Sequence, residues 1–199
     1  VAGVGCDFSR TLQLPLEAHQ WLGASQVSHS PRIVFYPGSS IGNFSPADAL
    51  RLLRQVHAIC VAGGEGSGLL IGVDRVKDLS VLETAYDDAL GVTAAFNRSM
   101  LVHVNERFAT NFSARNWRHR AFFNTSQSRI EMHLQSLDMQ LVGWPGGERL
   151  FAPGQTIHTE NSYKWEPDRF AQLLAEAGFS QAEHFTDPQG WFSLFWARA

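Results

Sequence analysis

Two short apolar runs, RIVFY at 32–36 and LLIGV at 69–73, flank a helical stretch that opens at Ser45-Pro46. That order restricts the fold more than any other feature. Ser45 suits an N-cap, and Pro46 suits a first helical position, where a missing N–H costs nothing. Leu50, Leu53, Val56 and Cys60 then recur at helical spacing and form an inward face. The glycine-rich GGEGSG at 63–68 ends the helix. It follows a helix and precedes a strand, the reverse of a phosphate loop, so it reads as a connecting turn. The first run lacks alternation, as strands buried on two faces do. Strand, helix, strand in this order implies a parallel α/β sheet.

The flanking segments extend the pattern. Residues 1–5 read as a strand end, followed by a polar turn at 6–9. After Asp74 the periodicity changes. Residues 80–90 look helical, and Gly91 to about Phe112 reads as a long helix with Ala95, Met100, Val104 and Phe108 inward. Residues 129–142 alternate as a strand, 143–147 turn, and 155–160 return as its partner. Pro167 opens a helix with Phe170, Leu173, Leu174 and Ala177 on one face, closed by Gly178. Strands at 181–185 and 191–197 end the chain. This is the later half of a doubly wound sheet, interrupted by an insertion at roughly residues 80–160 and closed by an antiparallel hairpin. Such sheets bind ligands at the carboxyl ends of their strands. Three turns lie there: 6–8, 37–44 and 74–78.

Chemistry narrows next. A net charge of −3 over 199 residues gives no reason to expect a nucleic-acid partner. Cys6 and Cys60 have neither metal nor redox spacing, which suits a reduced, cytoplasmic setting. No run approaches a membrane span, and the N-terminus lacks the pattern of a signal peptide. Without an initiator Met, it reads as a chain that begins inside a larger protein. GSSIG at 38–42 matches the G-x-S-x-G of a hydrolase nucleophile elbow, with Ser40 at its centre. Pro46, however, delays the helix, and His184 precedes Asp187, the wrong order for that fold. The eight histidines include no H-x-x-x-H or H-E-x-x-H. Glu131 and His133, on one strand face, read as pocket wall or surface rather than metal ligands.

Six blocks together say more: GCDF, PGSSIGNF, GVDRVKD, AYDDALGVTAAFN, RIEMHL and HTENSYKW. In this order and spacing the chain resembles the L-histidine Nα-methyltransferase family of ergothioneine biosynthesis. The resemblance implies three methyl transfers from S-adenosylmethionine to the α-amine of histidine, giving hercynine. It implies a Rossmann-like class I methyltransferase domain over 1–79 and 161–199, with a substrate-binding subdomain inserted over 80–160. Asp7 and Phe8 match the pair against the donor's adenine. Gly38 and Ser39 match the loop under its methionine end, where small residues let the backbone approach. Asn43 matches an asparagine that binds the substrate's amino-acid head, and Tyr86 a tyrosine that bonds its carboxylate. Glu160 and Ser162 match the pair that grips the imidazole, and Met132 and Thr93 match other pocket positions. Two residues apart on a strand, Glu160 and Ser162 share a face and can address one ring.

No general base is assigned, because methyl transfer from a sulfonium depends mostly on positioning. The family's upstream glycine loop, ribose-binding acid and N-terminal helical part are not in this chain. The expectation is therefore weak donor binding and little activity by these residues alone. An inactive amino-acid-binding remnant is the alternative, and a serine hydrolase using Ser40 is less favoured. An exposed edge of the sheet would invite self-association.

Overall fold

The computed structural model describes residues 3–12 and 30–199. Of the strand end expected at 1–5, Val1 and Ala2 lie outside the described residues, and 3–5 form no strand. In chain order, β1 (Ile33–Tyr36), α1 (Pro46–Val61) and β2 (Gly68–Asp74) come first. Then follow α2 (Leu79–Tyr86), α3 (Val92–Phe108), β3 (Trp117–Asn124), β4 (Arg129–Ser136), β5 (Gln140–Trp144), β6 (Gly147–Phe151) and β7 (Thr156–Tyr163). α4 (Pro167–Ala177), β8 (Gln181–Thr186) and β9 (Phe192–Arg198) close the chain. Two compact units result: Val1–Val76 with Tyr163–Ala199, and Lys77–Ser162. Among the described residues no helix is long and apolar enough to cross a membrane.

The first unit holds a four-stranded sheet in the order β1-β2-β9-β8. β1 and β2 are parallel, while β9 runs antiparallel to β2 and to β8. α1 starts where Ser45 Oγ accepts the Asp48 amide, with Pro46 in its first turn. It buries Ala49, Leu52, Leu53, Val56 and Cys60, with Leu50 half-buried. α4 buries Phe170, Leu173, Leu174 and Ala177 and stops at Gly178, whose φ of 112° an L side chain rarely adopts. Both helices join Leu69, Ile71 and Val73 in one apolar cluster. Strand side chains alternate, so these three residues share one face of β2.

The other face differs from expectation. β1 is the end strand among the described residues, and one of its faces is open rather than covered. Ile33 and Phe35 are 62% and 66% exposed. Further along that face, a Cβ at Gly68 would stand 2.7 Å from the Trp196 ring, and one at Gly72 2.7 Å from the Phe192 ring. Two aromatic side chains thus lie down over two glycines of the neighbouring strand. A Cβ at Gly72 would also collide with the Pro37 carbonyl oxygen, so this position has room only for hydrogen.

The second unit contains the sheet β3-β4-β7 and the hairpin β5-β6. The stretch 129–142, expected as one strand, breaks after Ser136, whose Oγ donates to the Asp138 carbonyl at 2.6 Å and turns the chain. The return strand expected at 155–160 forms as β7 beside β4. β3 was not anticipated. α3 is shorter than expected because Ala109 adopts a left-handed φ of 51°. Asn105 then fastens the return, accepting from the Phe112 amide and donating to its carbonyl, both at 2.8 Å. The inward residues of α3 are Asn97 and Leu101. Ala95, Met100 and Phe108 are exposed and Val104 is half-buried, which corrects the expected face. The interior position is taken by a polar residue, while apolar Val92 and Phe96 face outward, 64% and 63% exposed.

Candidate functional site

In the first unit, the loop after β1 carries two of the four expected donor-side residues, Gly38 and Ser39. Ser40–Asn43 form one 3₁₀ turn, and α1 begins only at Pro46. Ser40 therefore does not sit on a sharp strand-to-α-helix elbow. Ser39, just before the turn, adopts a left-handed φ of 58°, uncommon for a serine. Its Oγ accepts the Asp74 amide at 2.8 Å, which ties the loop to the carboxyl end of β2. The Ser39 hydroxyl keeps its O–H for donation after accepting this amide. Gly38 and Asn43 are exposed. Phe8 is 41% exposed, and its ring lies 6.3 Å from Tyr36 and 6.3 Å from Phe44. The Asp7 carboxylate beside it accepts the Ser9 amide at 3.2 Å. An exposed aromatic ring next to a carboxylate fits a flat heteroaromatic group with an exocyclic amine.

Asp74 is a junction that the sequence reading passed over. Lys164 Nζ lies 2.9 Å from Asp74 Oδ2, with only 1% of the lysine side chain exposed and 20% of the aspartate's. The Trp165 amide donates to the Asp74 carbonyl at 3.0 Å. Amide, carboxylate and carbonyl of one residue thus hold the Ser39 loop, Lys164 and the segment entering α4.

In the second unit, two of the expected substrate residues meet. Tyr86 Oη and Ser162 Oγ are 2.8 Å apart across 76 positions of sequence. Tyr86 ends α2 and Ser162 lies near the end of β7. Glu160, two residues earlier, is half-buried. Met132 is 3% exposed and packs with Leu82 and Ile130, with Tyr86 against that cluster, so its side chain is core material. Thr93 sits at the start of α3, where its amide and that of Val92 donate to Asp88. Those two backbone bonds, that of Thr93 foremost, hold the Asp88 carboxyl down to about 2.

Glu131, His133 and His158 place three possible metal-ligand atoms within 4.8 Å of one another. The geometry does not suit an ion. His133 and His158 are stacked, 4.5 Å between centroids and 13° between planes, so their in-plane lone pairs do not converge. Glu131 Oε1 already accepts from Arg129 and from Asn124, and Oε2 lies 3.0 Å from His133 Nε2. Burial would raise the Glu131 carboxyl, but the bonds from Arg129, His133 and Asn124 outweigh it and bring it to about 2. The Glu131 carboxylate is thus engaged by protein donors, while His133 Nδ1 is buried without a hydrogen-bond partner.

Behind Tyr86 lies a second network that sequence reasoning missed. His119 Nε2 is 2.8 Å from the Tyr86 carbonyl oxygen, and His119 Nδ1 is 2.9 Å from Asn97 Nδ2. Both residues are buried. The available signal was the alternation W-R-H-R-A-F-F-N, in which His119 takes an inward position.

Comparison with known proteins agrees with the resemblance. A family model described as histidine-specific methyltransferase, SAM-dependent, matches residues 1–199. Over 165 residues the chain is 41% identical to a histidine N-alpha-methyltransferase of Mycolicibacterium smegmatis, covering 82% of this chain and 50% of that protein. The protein of the same name from Mycobacterium tuberculosis is 34% identical over the same shares. Ergothioneine biosynthesis protein 1 of Neurospora crassa is 27% identical over 184 residues, 85% of this chain and 19% of that protein. The chain thus spans about half the length or less of these relatives. With the model matching from end to end, the chain belongs to the histidine-specific, S-adenosylmethionine-dependent methyltransferase family.

Proposed function

We propose that this protein methylates the α-amino group of L-histidine three times, with S-adenosylmethionine as donor, giving hercynine in ergothioneine biosynthesis. The observation that carries the reading is the meeting of Tyr86 with Ser162 at 2.8 Å, two residues from Glu160. Two hydroxyls and a carboxylate on adjoining backbone suit a ligand that carries both a carboxylate and an imidazole. Tyr86 donates to the substrate carboxylate. Glu160 accepts a ring N–H, and Ser162 addresses the second ring nitrogen as donor or acceptor. A site that bonds both ring nitrogens discriminates against side chains that cannot reproduce those bonds. Asn43 binds the amino-acid head, while Met132 and Thr93 support the substrate side.

On the donor side, Asp7 and Phe8 hold the adenine, and the backbone at Gly38 and Ser39 runs beneath the methionine portion. In each cycle the neutral amine forms an N–C bond as the S–C bond breaks, its electron pair going to sulfur. The product amine then loses a proton before the next transfer. The residues named supply orientation, which is the main requirement of such a displacement. We place residues 80–160 as the substrate-binding insertion. We also propose a reduced, cytoplasmic setting, consistent with the free Cys6 and Cys60.

Mass spectrometry of full-length protein incubated with histidine and donor should show the trimethylated product. Glu160→Ala should weaken histidine binding at least tenfold while leaving donor binding within twofold. Equal losses of both would refute the imidazole assignment. Absence of any methylated histidine would refute the activity.

β1 supports one further proposal, self-association through its edge. Ile33 and Phe35 are exposed on the end strand, and such edges template pairing. Sedimentation should show a concentration-dependent species that Phe35→Lys removes; a monomer at all concentrations would refute it.

A further inference from the structure

The buried pair behind Tyr86 has a determined arrangement of protons. A carbonyl oxygen only accepts, so His119 Nε2, 2.8 Å from the Tyr86 carbonyl, carries the hydrogen. Asn97 Nδ2 donates to the His133 carbonyl at 3.3 Å and lies 2.9 Å from His119 Nδ1. Turning the Asn97 amide over would set its oxygen against the His133 carbonyl, acceptor against acceptor. The amide nitrogen therefore faces both partners, and His119 Nδ1 accepts. The imidazole is neutral, a single tautomer, with both nitrogens engaged. Asn97 is fully buried, and its Oδ1 has no hydrogen-bond partner. Buried polar atoms are normally satisfied, so an orphaned oxygen here marks an amide held for what its nitrogen does.

What that nitrogen does is transmitted to Tyr86. As the last residue of α2, Tyr86 has one of the carbonyls that a helix cannot satisfy internally. His119, from β3, satisfies it. The hydroxyl of the same tyrosine reaches Ser162. One end of Tyr86 is thus fastened by a directed bond and the other is presented to Ser162. We infer that Asn97 and His119 are positioning residues, which fix the backbone of Tyr86 so that its hydroxyl is held for the substrate carboxylate. The inference rests on the substrate role proposed for Tyr86.

Four variants of the full-length protein test it. His119→Phe keeps a buried ring but removes the donor, whereas the amide of Gln can donate to the Tyr86 carbonyl. His119→Phe should raise the KM for histidine about tenfold and leave the KM for the donor within twofold. His119→Gln should restore most of that loss. In a Tyr86→Phe background, His119→Phe should add less than a twofold further effect, because it acts through the same hydroxyl. Equal losses for both substrates, failure of Gln to rescue, or full additivity with Tyr86→Phe would overturn the inference. Nitrogen-15 NMR of the histidine rings gives a reading independent of turnover. It should show a His119 ring protonated at Nε2 and bare at Nδ1, and the opposite tautomer would overturn the network. If wild-type protein fails to methylate histidine while the NMR result holds, the proposed activity falls, and binding of histidine to wild type, His119→Phe and His119→Gln decides the positioning role.

Discussion

Replacing Lys164 by Met should be among the most damaging single changes in the first unit, although Met preserves most of the apolar stem. Lys164 Nζ lies 2.9 Å from Asp74 Oδ2, and its side chain is 1% exposed. Removing one partner of a buried pair typically costs about 3–5 kcal/mol, because the other charge is left uncompensated. The Asp74 side chain is 20% exposed, so water recovers part of its solvation, and the lower end, about 3 kcal/mol, applies. That is roughly a hundredfold in the folded-to-unfolded ratio. Pairing Lys164→Met with Asp74→Asn removes the stranded charge and should recover about 2 kcal/mol of the loss, a coupling within the range for contacting residues. Urea titration followed by tryptophan fluorescence measures each corner of the cycle, with buried Trp165 next in sequence as a local reporter. A single-variant loss below about 1 kcal/mol, or a double variant whose loss is the sum of the singles, would refute this reasoning.

Gly72→Ala should destabilise by about 1–3 kcal/mol or more through overpacking against the Pro37 carbonyl and Phe192, read as a lowered midpoint in the same titration. Phe170→Ala should cost about 3–5 kcal/mol, since this ring is fully buried 5.3 Å from both Trp165 and Phe195; an unchanged midpoint would count against the shared core. Glu131 titrates lower in the fold than in the unfolded chain. Its contribution is therefore complete above about 4.5 and is lost as pH falls toward about 2. Glu131→Gln should flatten the acid limb of a pH-stability curve in that window, and an unchanged limb would show that the network is not the acid-sensitive element.

Much of the first unit was legible because local signals there agree with tertiary placement. Ser45-Pro46 starts α1 where capping chemistry puts it, and all four apolar residues assigned to the face of α4 are buried. β1 misled because a continuous apolar run looks the same whether packed layers cover one of its faces or both. The second unit was harder to read. α3 turns Asn97 inward and Phe96 outward, so its hydrophobic periodicity points the wrong way. β3 was invisible because its interior alternation passes through a histidine, which is polar by composition but fully engaged by Asn97 and Tyr86. The pairing of Tyr86 with Ser162 depends on residues 76 positions apart and could enter only through family resemblance. The Asp74–Lys164 contact had no comparable signal.

The bond from the Trp165 amide to the Asp74 carbonyl has a consequence for modularity. The chain leaves the first unit just after Asp74 and re-enters it just before Trp165. Exit and entry are therefore stitched together by the first unit's own backbone, whatever the length or content of what lies between. A cassette spliced in at such a paired doorway need only begin and end close together, a condition under which insertions are well tolerated. Exchange of the intervening segment, or its replacement by a short turn, would leave the host sheet's hydrogen bonds as they are. Such a chassis admits change between its doorways one module at a time, without rebuilding the sheet.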